Sequence, residues 1–275
     1  KRYKQLFWGT QGTLVGMLLT FPFQGYALFS IVFSTLFLIM SYFFTYYFWK
    51  NIDPKFKDSK GLKCVKTALA YMVISSVGPW ALGIIMNTLG VQSIWYRLSI
   101  YFYLHFQYNG WMILALIGLF IFALEQRGQE IPIKSFNRFF LSLNLGIVFT
   151  FFLSTLWTEP SAVFYILSGI GATSQFYALT YFWSLTKNDV ATLSQSRTQS
   201  MILKVVVALG LIKILLQLLT VIPYFTRMAA TYLDFTIGYL HLTFLGVISL
   251  GLFFFMDYFG LMNISKKSYL WYVSG

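Results

Sequence analysis

The sequence is a succession of apolar stretches of about 20 residues, each long enough to cross a bilayer at roughly 1.5 Å rise per residue. Polar tissue between them is scarce. Only 10% of the 275 residues are charged and 58% are hydrophobic, where a soluble domain carries about 25% charged residues. This pattern excludes a soluble enzyme, a disordered chain and a disulfide scaffold. The single cysteine, Cys64, permits no internal disulfide and no cysteine-based metal site. Eight spans are expected, at about 5–22, 25–49, 67–86, 98–124, 139–157, 161–185, 201–222 and 232–256. The predicted fold is all-α: one transmembrane helix bundle, with residues 258–275 either beginning a ninth span or lying at the interface. No internal repeat, low-complexity tract or soluble domain is evident. The chain opens on Lys1 without a signal-peptide pattern, so a segment of a longer protein is expected.

Charge follows the loops. Lys1, Arg2 and Lys4 precede the first span, and six lysines (50, 55, 57, 60, 63 and 66) follow the second. Arg127, Lys134 and Arg138 follow the fourth, Lys187, Arg197 and Lys204 surround the turn from sixth to seventh, and Lys266 and Lys267 follow the eighth. That places 17 of the 20 basic residues on one side, leaving Arg97 and Arg227 opposite and Lys213 within a span. Cytoplasmic loops are enriched in Lys and Arg. The expected location is therefore a membrane crossed several times, with the N-terminal end of this segment in the cytoplasm. The net charge of +12 is accounted for by this alternation, so the expected partner is the lipid bilayer and not nucleic acid.

Ionisable residues inside spans are costly and are functional candidates for that reason. Four are present: His105, Lys213, Asp234 and His241. Counting from the outer ends of their spans puts His105 about 10 Å deep and His241 about 13 Å deep. Two imidazoles at matched depth on separate helices can clamp a haem or share a metal ion. Each can equally be a structural hydrogen-bonding group between helices. Lys213 lies about 18 Å from the cytoplasmic end of its span, with Gln217 one turn on along the same face. It reads either as a proton-path or anion-binding group or as a structural partner of Asp234 or of a backbone carbonyl. Asp234, two residues into the eighth span, suits a helix N-terminus. Asn109 shares the face of His105, whereas Gln107 points elsewhere. Gln11, Asn144 and Gln175 read as interhelical hydrogen-bonding groups, Pro79 as the cause of a kink in the third span, and Glu125 and Asp257 as span-end residues in water. Walker A, Gly-x-Ser-x-Gly, His-Glu-x-x-His and Cys-x-x-Cys motifs are absent.

Three strings carry a family resemblance: Leu19-Thr20-Phe21-Pro22-Phe23-Gln24-Gly25-Tyr26, Ser75-Ser76-Val77-Gly78-Pro79-Trp80-Ala81-Leu82-Gly83, and Tyr103-Leu104-His105-Phe106-Gln107-Tyr108-Asn109-Gly110-Trp111. Together they resemble a family of bacterial polytopic proteins that is itself distantly similar to haem–copper oxidase subunit I and to NnrS-type haem and copper membrane proteins. The resemblance implies a haem or copper cofactor held by His105 and His241 in the outer half of the membrane, and a role in respiration, nitric oxide response or metal handling. It also implies a further histidine-bearing helix upstream. The His-Pro-Glu-Val-Tyr segment and the His-His pair of the oxidases are missing, so a three-histidine copper site cannot form from these residues alone. The rival expectations are a cofactor-free transporter in which Lys213, Gln217 and Asn109 line a path, and a structural subunit of a larger membrane complex.

Overall fold

The structure, a computed structural model, describes residues 1–186 and 193–275. It is all-α, with no strand among the described residues. Among the described residues eight long helices run in sequence: α1 (Arg2–Gln24), α2 (Leu28–Lys50), α3 (Lys60–Thr88), α4 (Ile94–Gln126), α5 (Ile133–Thr158), α6 (Ala162–Thr186) and α7 (Arg197–Leu219), then the nine-residue α8 (Pro223–Thr231) and the long α9 (Leu233–Tyr258). A last helix, α10 (Lys266–Ser274), has nine residues, too few to span a membrane. Seven of the long helices are both long and apolar enough to cross a membrane; α1 is the less apolar eighth and pairs with α2. The chain is thus a multi-pass membrane protein. Lys187, one of the residues used above to read orientation, lies outside the described residues.

Local chemistry sets the boundaries. Ser59, Ser93 and Ser196 start α3, α4 and α7, each hydroxyl accepting from a main-chain N–H of the first turn. Helix α3 is interrupted at Ser76, as the proline three residues further on anticipates: Pro79 has no N–H to give the Ser75 carbonyl. The span-end acids are caps, not free groups in water. Glu125 accepts from the Ser59 hydroxyl (2.5 Å) and from the Lys60 (2.8 Å) and Gly61 (3.3 Å) amides. Asp257 accepts from the Gln199 side chain (2.6 Å) and the Ile264 amide (2.7 Å). Helix α4 is the axis of the bundle and the most buried of the seven apolar spans. One apolar cluster lies between it and α3, α5 and α6, and another between it and α7 and α9.

The second four long helices repeat the first four, which the sequence reading missed. Ala27-Leu28-Phe29-Ser30-Ile31 opens α2, and Ala162-Val163-Phe164-Tyr165-Ile166 opens α6, at an offset of 162 − 27 = 135. Tyr103-Leu104-His105 in α4 returns as Tyr239-Leu240-His241 in α9, at an offset of 136, and each string is followed by a glycine, Gly110 or Gly246. The local structure repeats as well. Immediately after each histidine the helix widens into an eight-residue π-helix, Phe106–Ile113 and Leu242–Ser249. A Cβ on Gly110 would strike Tyr71 of α3 at 2.7 Å, and one on Gly246 would strike Leu209 of α7 at 2.7 Å. Both helices end at a left-handed glycine, Gly128 (φ 78°) and Gly260 (φ 70°). Similarity is spread over short strings whose spacing drifts by several residues, which hides it from a scan for one fixed period.

Candidate functional site

The polar interior is built where the two π-helices meet. π-Helical segments inside α-helices are uncommon and concentrate at functional sites. Here they turn Tyr108 and Asn109 inward from α4, while Tyr239 approaches from α9. His105, Asn109, Lys213 and Gln217 are only 2%, 3%, 4% and 5% exposed.

His105 is fully engaged. Its Nε2 lies 2.8 Å from the Ile147 carbonyl of α5, and its Nδ1 lies 3.2 Å from the Asn109 amide nitrogen. A neutral ring carrying its proton on Nε2 satisfies both, donating to the carbonyl and accepting from Asn109. Phe106, Tyr108 and Phe151 enclose the ring edge-on, with centroids 5.1, 6.1 and 5.8 Å away. His241 has a different setting. It is exposed on the outer face of α9, and its Nδ1 donates to the Ile237 carbonyl of its own helix at 2.8 Å.

The expected histidine pair is therefore not assembled. One ring is enclosed with both nitrogens committed, and the other faces away from the interior. No group of three His, Cys, Asp or Glu side chains gathers for a metal among the described residues. This donor set does not fit a haem or copper shared by His105 and His241. Matched depth told where the residues sit along their helices, but not the rotation of those helices about their axes.

Lys213 is placed differently. Its Nζ donates to the Gln217 side-chain oxygen at 2.7 Å and lies over the rings of Tyr108 (5.9 Å) and Tyr239 (5.8 Å). Gln217 is one helical turn on, so the sequence spacing did anticipate this bond. Asp234 is not its partner: it is exposed in the first turn of α9. The one ion pair among the described residues is Lys55–Asp53, in the loop before α3. No described carboxylate neutralises Lys213. The Tyr239 hydroxyl is buried with the Tyr108 and Thr243 hydroxyls as neighbours, yet none completes a well-aligned hydrogen bond to it.

Comparison of this chain with family models, with curated proteins and with solved structures finds no match. The assignment of a role therefore rests on geometry. Sequence reasoning overlooked Tyr108 and Tyr239, which flank Lys213, because single tyrosines in aromatic-rich spans carry no distinctive spacing. It also overlooked the chain of bonds in which Ser75 donates to Gln107 (2.8 Å) and Gln107 donates to the Tyr103 hydroxyl (3.3 Å). Asn144 and Gln175 do bridge helices, to Tyr71 and Thr150 respectively, both at 3.0 Å.

Proposed function

We propose that the protein is a cofactor-independent, proton-handling membrane transporter in which Lys213 is the group that gains and loses charge. The observation that supports this is a lysine enclosed in the bundle with one amide oxygen and two aromatic faces around it, and no carboxylate among the described residues. Aromatic faces and an amide oxygen favour an ammonium, by about 0.5–2 kcal/mol per desolvated ring. They do not neutralise it. A structural lysine in a span is ordinarily paired, and an unpaired one marks a proton relay or an ion path. Lys213 gives a proton to water that enters from one side and regains one from the other, while Gln217 and the two tyrosines hold its Nζ at the junction of the units. The excess of Lys and Arg on one set of loops supports a bacterial inner-membrane location with the N-terminal end in the cytoplasm.

The test is proton flux into vesicles reconstituted with the purified protein, with a trapped pH-sensitive dye and a potassium diffusion potential. The wild type carries protons, and Lys213→Met abolishes the flux while its thermal melt in detergent stays cooperative. A wild type that carries none, or a Lys213→Met variant that carries protons at the wild-type rate, refutes the reading.

A further inference from the structure

The repeat exposes a missing contact. Between the two units, α4 is covered by α5. The Ile147 carbonyl accepts from His105 and the Phe151 ring packs against Phe102 (5.3 Å) and Phe106 (5.8 Å), all on α4, while Asn144 accepts from Tyr71 of the neighbouring α3. These contacts come from Asn144, Ile147 and Phe151, one stripe of α5 that Phe140 extends by a turn. In the repeat α9 stands for α4, and α1 stands for α5. At an offset of 140 − 7 = 133, the α1 stripe is Phe7, Gln11, Leu14 and Leu18: again an aromatic, a carboxamide and two apolar residues at the same spacing. Phe7, Leu14 and Leu18 are exposed, Leu18 to 70%. The face of α9 that corresponds to the covered face of α4 is open too. His241 is exposed there between Ile237 and Leu245, itself 51% exposed, and its Nε2 meets no described partner.

We infer that this chain associates with a second copy of itself, the α1 stripe of each copy covering the His241 face of α9 in the other. The contact repeats between chains the one that α5 makes with α4 within each chain. An unpartnered imidazole nitrogen turned toward hydrocarbon is costly, and a neighbouring helix that offers a main-chain acceptor removes that cost. Helix α1 has such an acceptor on its open stripe, because Pro22 has no N–H to give the Leu18 carbonyl. Units of four long helices leave α1 and α5 running in the same direction, so the docking needs no inversion. Each copy presents both surfaces, and two reciprocal contacts about a two-fold axis close the assembly without exposed ends. The inference is independent of the role given to Lys213.

The test is disulfide trapping in membranes. Phe151 and Phe102 meet within the chain, so Leu18 and Gly238 are the corresponding positions between chains. Leu18 is largely exposed, and a Cβ on Gly238 meets nothing within 4 Å, so both accept cysteine. Oxidation of the Leu18→Cys/Gly238→Cys double variant gives a covalent dimer on a non-reducing gel, whereas each single variant, with buried Cys64 as its other thiol, stays monomeric. Adding His241→Leu lowers the dimer yield. A double variant that remains monomeric overturns the inference, as does a ladder of higher species, which would mean open head-to-tail contacts in place of a closed pair.

Discussion

Removing the Glu125 carboxylate should unlatch the start of α3 from the end of α4, and the size of the effect can be worked from its bonds. Two short contacts, from the Ser59 hydroxyl and the Lys60 amide, and a longer one from Gly61 converge on this side chain. Charge-assisted bonds contribute about 1.5 kcal/mol each at the low end, and water at this half-exposed site offsets the whole of the longer one and about 0.5 kcal/mol of the two short ones. A carboxylate at a helix N-terminus adds about 0.5 kcal/mol. The sum for Glu125→Ala is about 3 kcal/mol, or about 100-fold in the opening equilibrium at roughly 1.4 kcal/mol per decade. Cys64, fully buried one turn into α3, reports that opening. Its alkylation by a maleimide in detergent should accelerate about 100-fold if labelling follows local opening. Glu125→Gln, which keeps an acceptor oxygen but loses the charge, should fall between the two. A labelling rate for Glu125→Ala equal to the wild type's would mean that the latch contributes nothing.

Gly61→Ala should lower the detergent melting temperature through a clash, because the added Cβ would stand 2.5 Å from the Phe122 amide and 2.7 Å from the Gly118 carbonyl; overpacking of this kind costs about 1–3 kcal/mol, and an unchanged melt counts against close α3–α4 packing. Asp53 should titrate below its ordinary 3.8, since the Lys55 main-chain N–H donates to the carboxylate at 3.0 Å and the Lys55 ammonium adds an ion pair. A carboxyl whose folded value is depressed contributes its stabilisation above its unfolded value and loses it as the pH falls through the folded one. The Pro54–Phe56 turn therefore keeps its cap at neutral pH and loses it only in strong acid, and a carboxyl carbon NMR titration with a midpoint at or above 3.8 would contradict this.

The bundle was legible in the sequence because hydrophobic length and loop charge are one-dimensional properties. Every expected span corresponds to a long helix, and Pro79 marks the break in α3. The site was legible only in part. The Lys213–Gln217 bond lies along one helix and follows from its period, as does the His105–Asn109 contact. The partnership of His105 with His241 did not survive, because it required knowing which way α9 faces, and that is fixed by packing against α7 and α4. The rival partnership of Lys213 with Asp234 failed for the same reason. The repeat escaped notice because its matches are brief: Tyr-Leu-His and the glycine five residues on become persuasive only when both strings are seen to open a π-helix.

That repeat also isolates Lys213 from the architecture around it. The glycines of the π-helices give the register between α3 and α7. Gly110 leaves room for Tyr71 and Gly246 for Leu209, an offset of 209 − 71 = 138. By that register Lys213 corresponds to Ser75 and Gln217 to Pro79. Each unit thus carries a polar residue on its third long helix beside its π-helix. In the first unit it is a neutral hydroxyl, spent on Gln107 and on the Met72 carbonyl. In the second it is an ammonium with no described counter-charge. A purely structural need at this position is met by serine, so the lysine requires a separate reason. Lys213→Ser should consequently fold and melt no lower than the wild type, because it removes a buried charge and leaves the residue that the sister unit tolerates. It should at the same time lose proton flux in vesicles as completely as Lys213→Met. A Lys213→Ser protein that unfolds would show instead that the ammonium holds the two units together, and the functional reading of the asymmetry would fall.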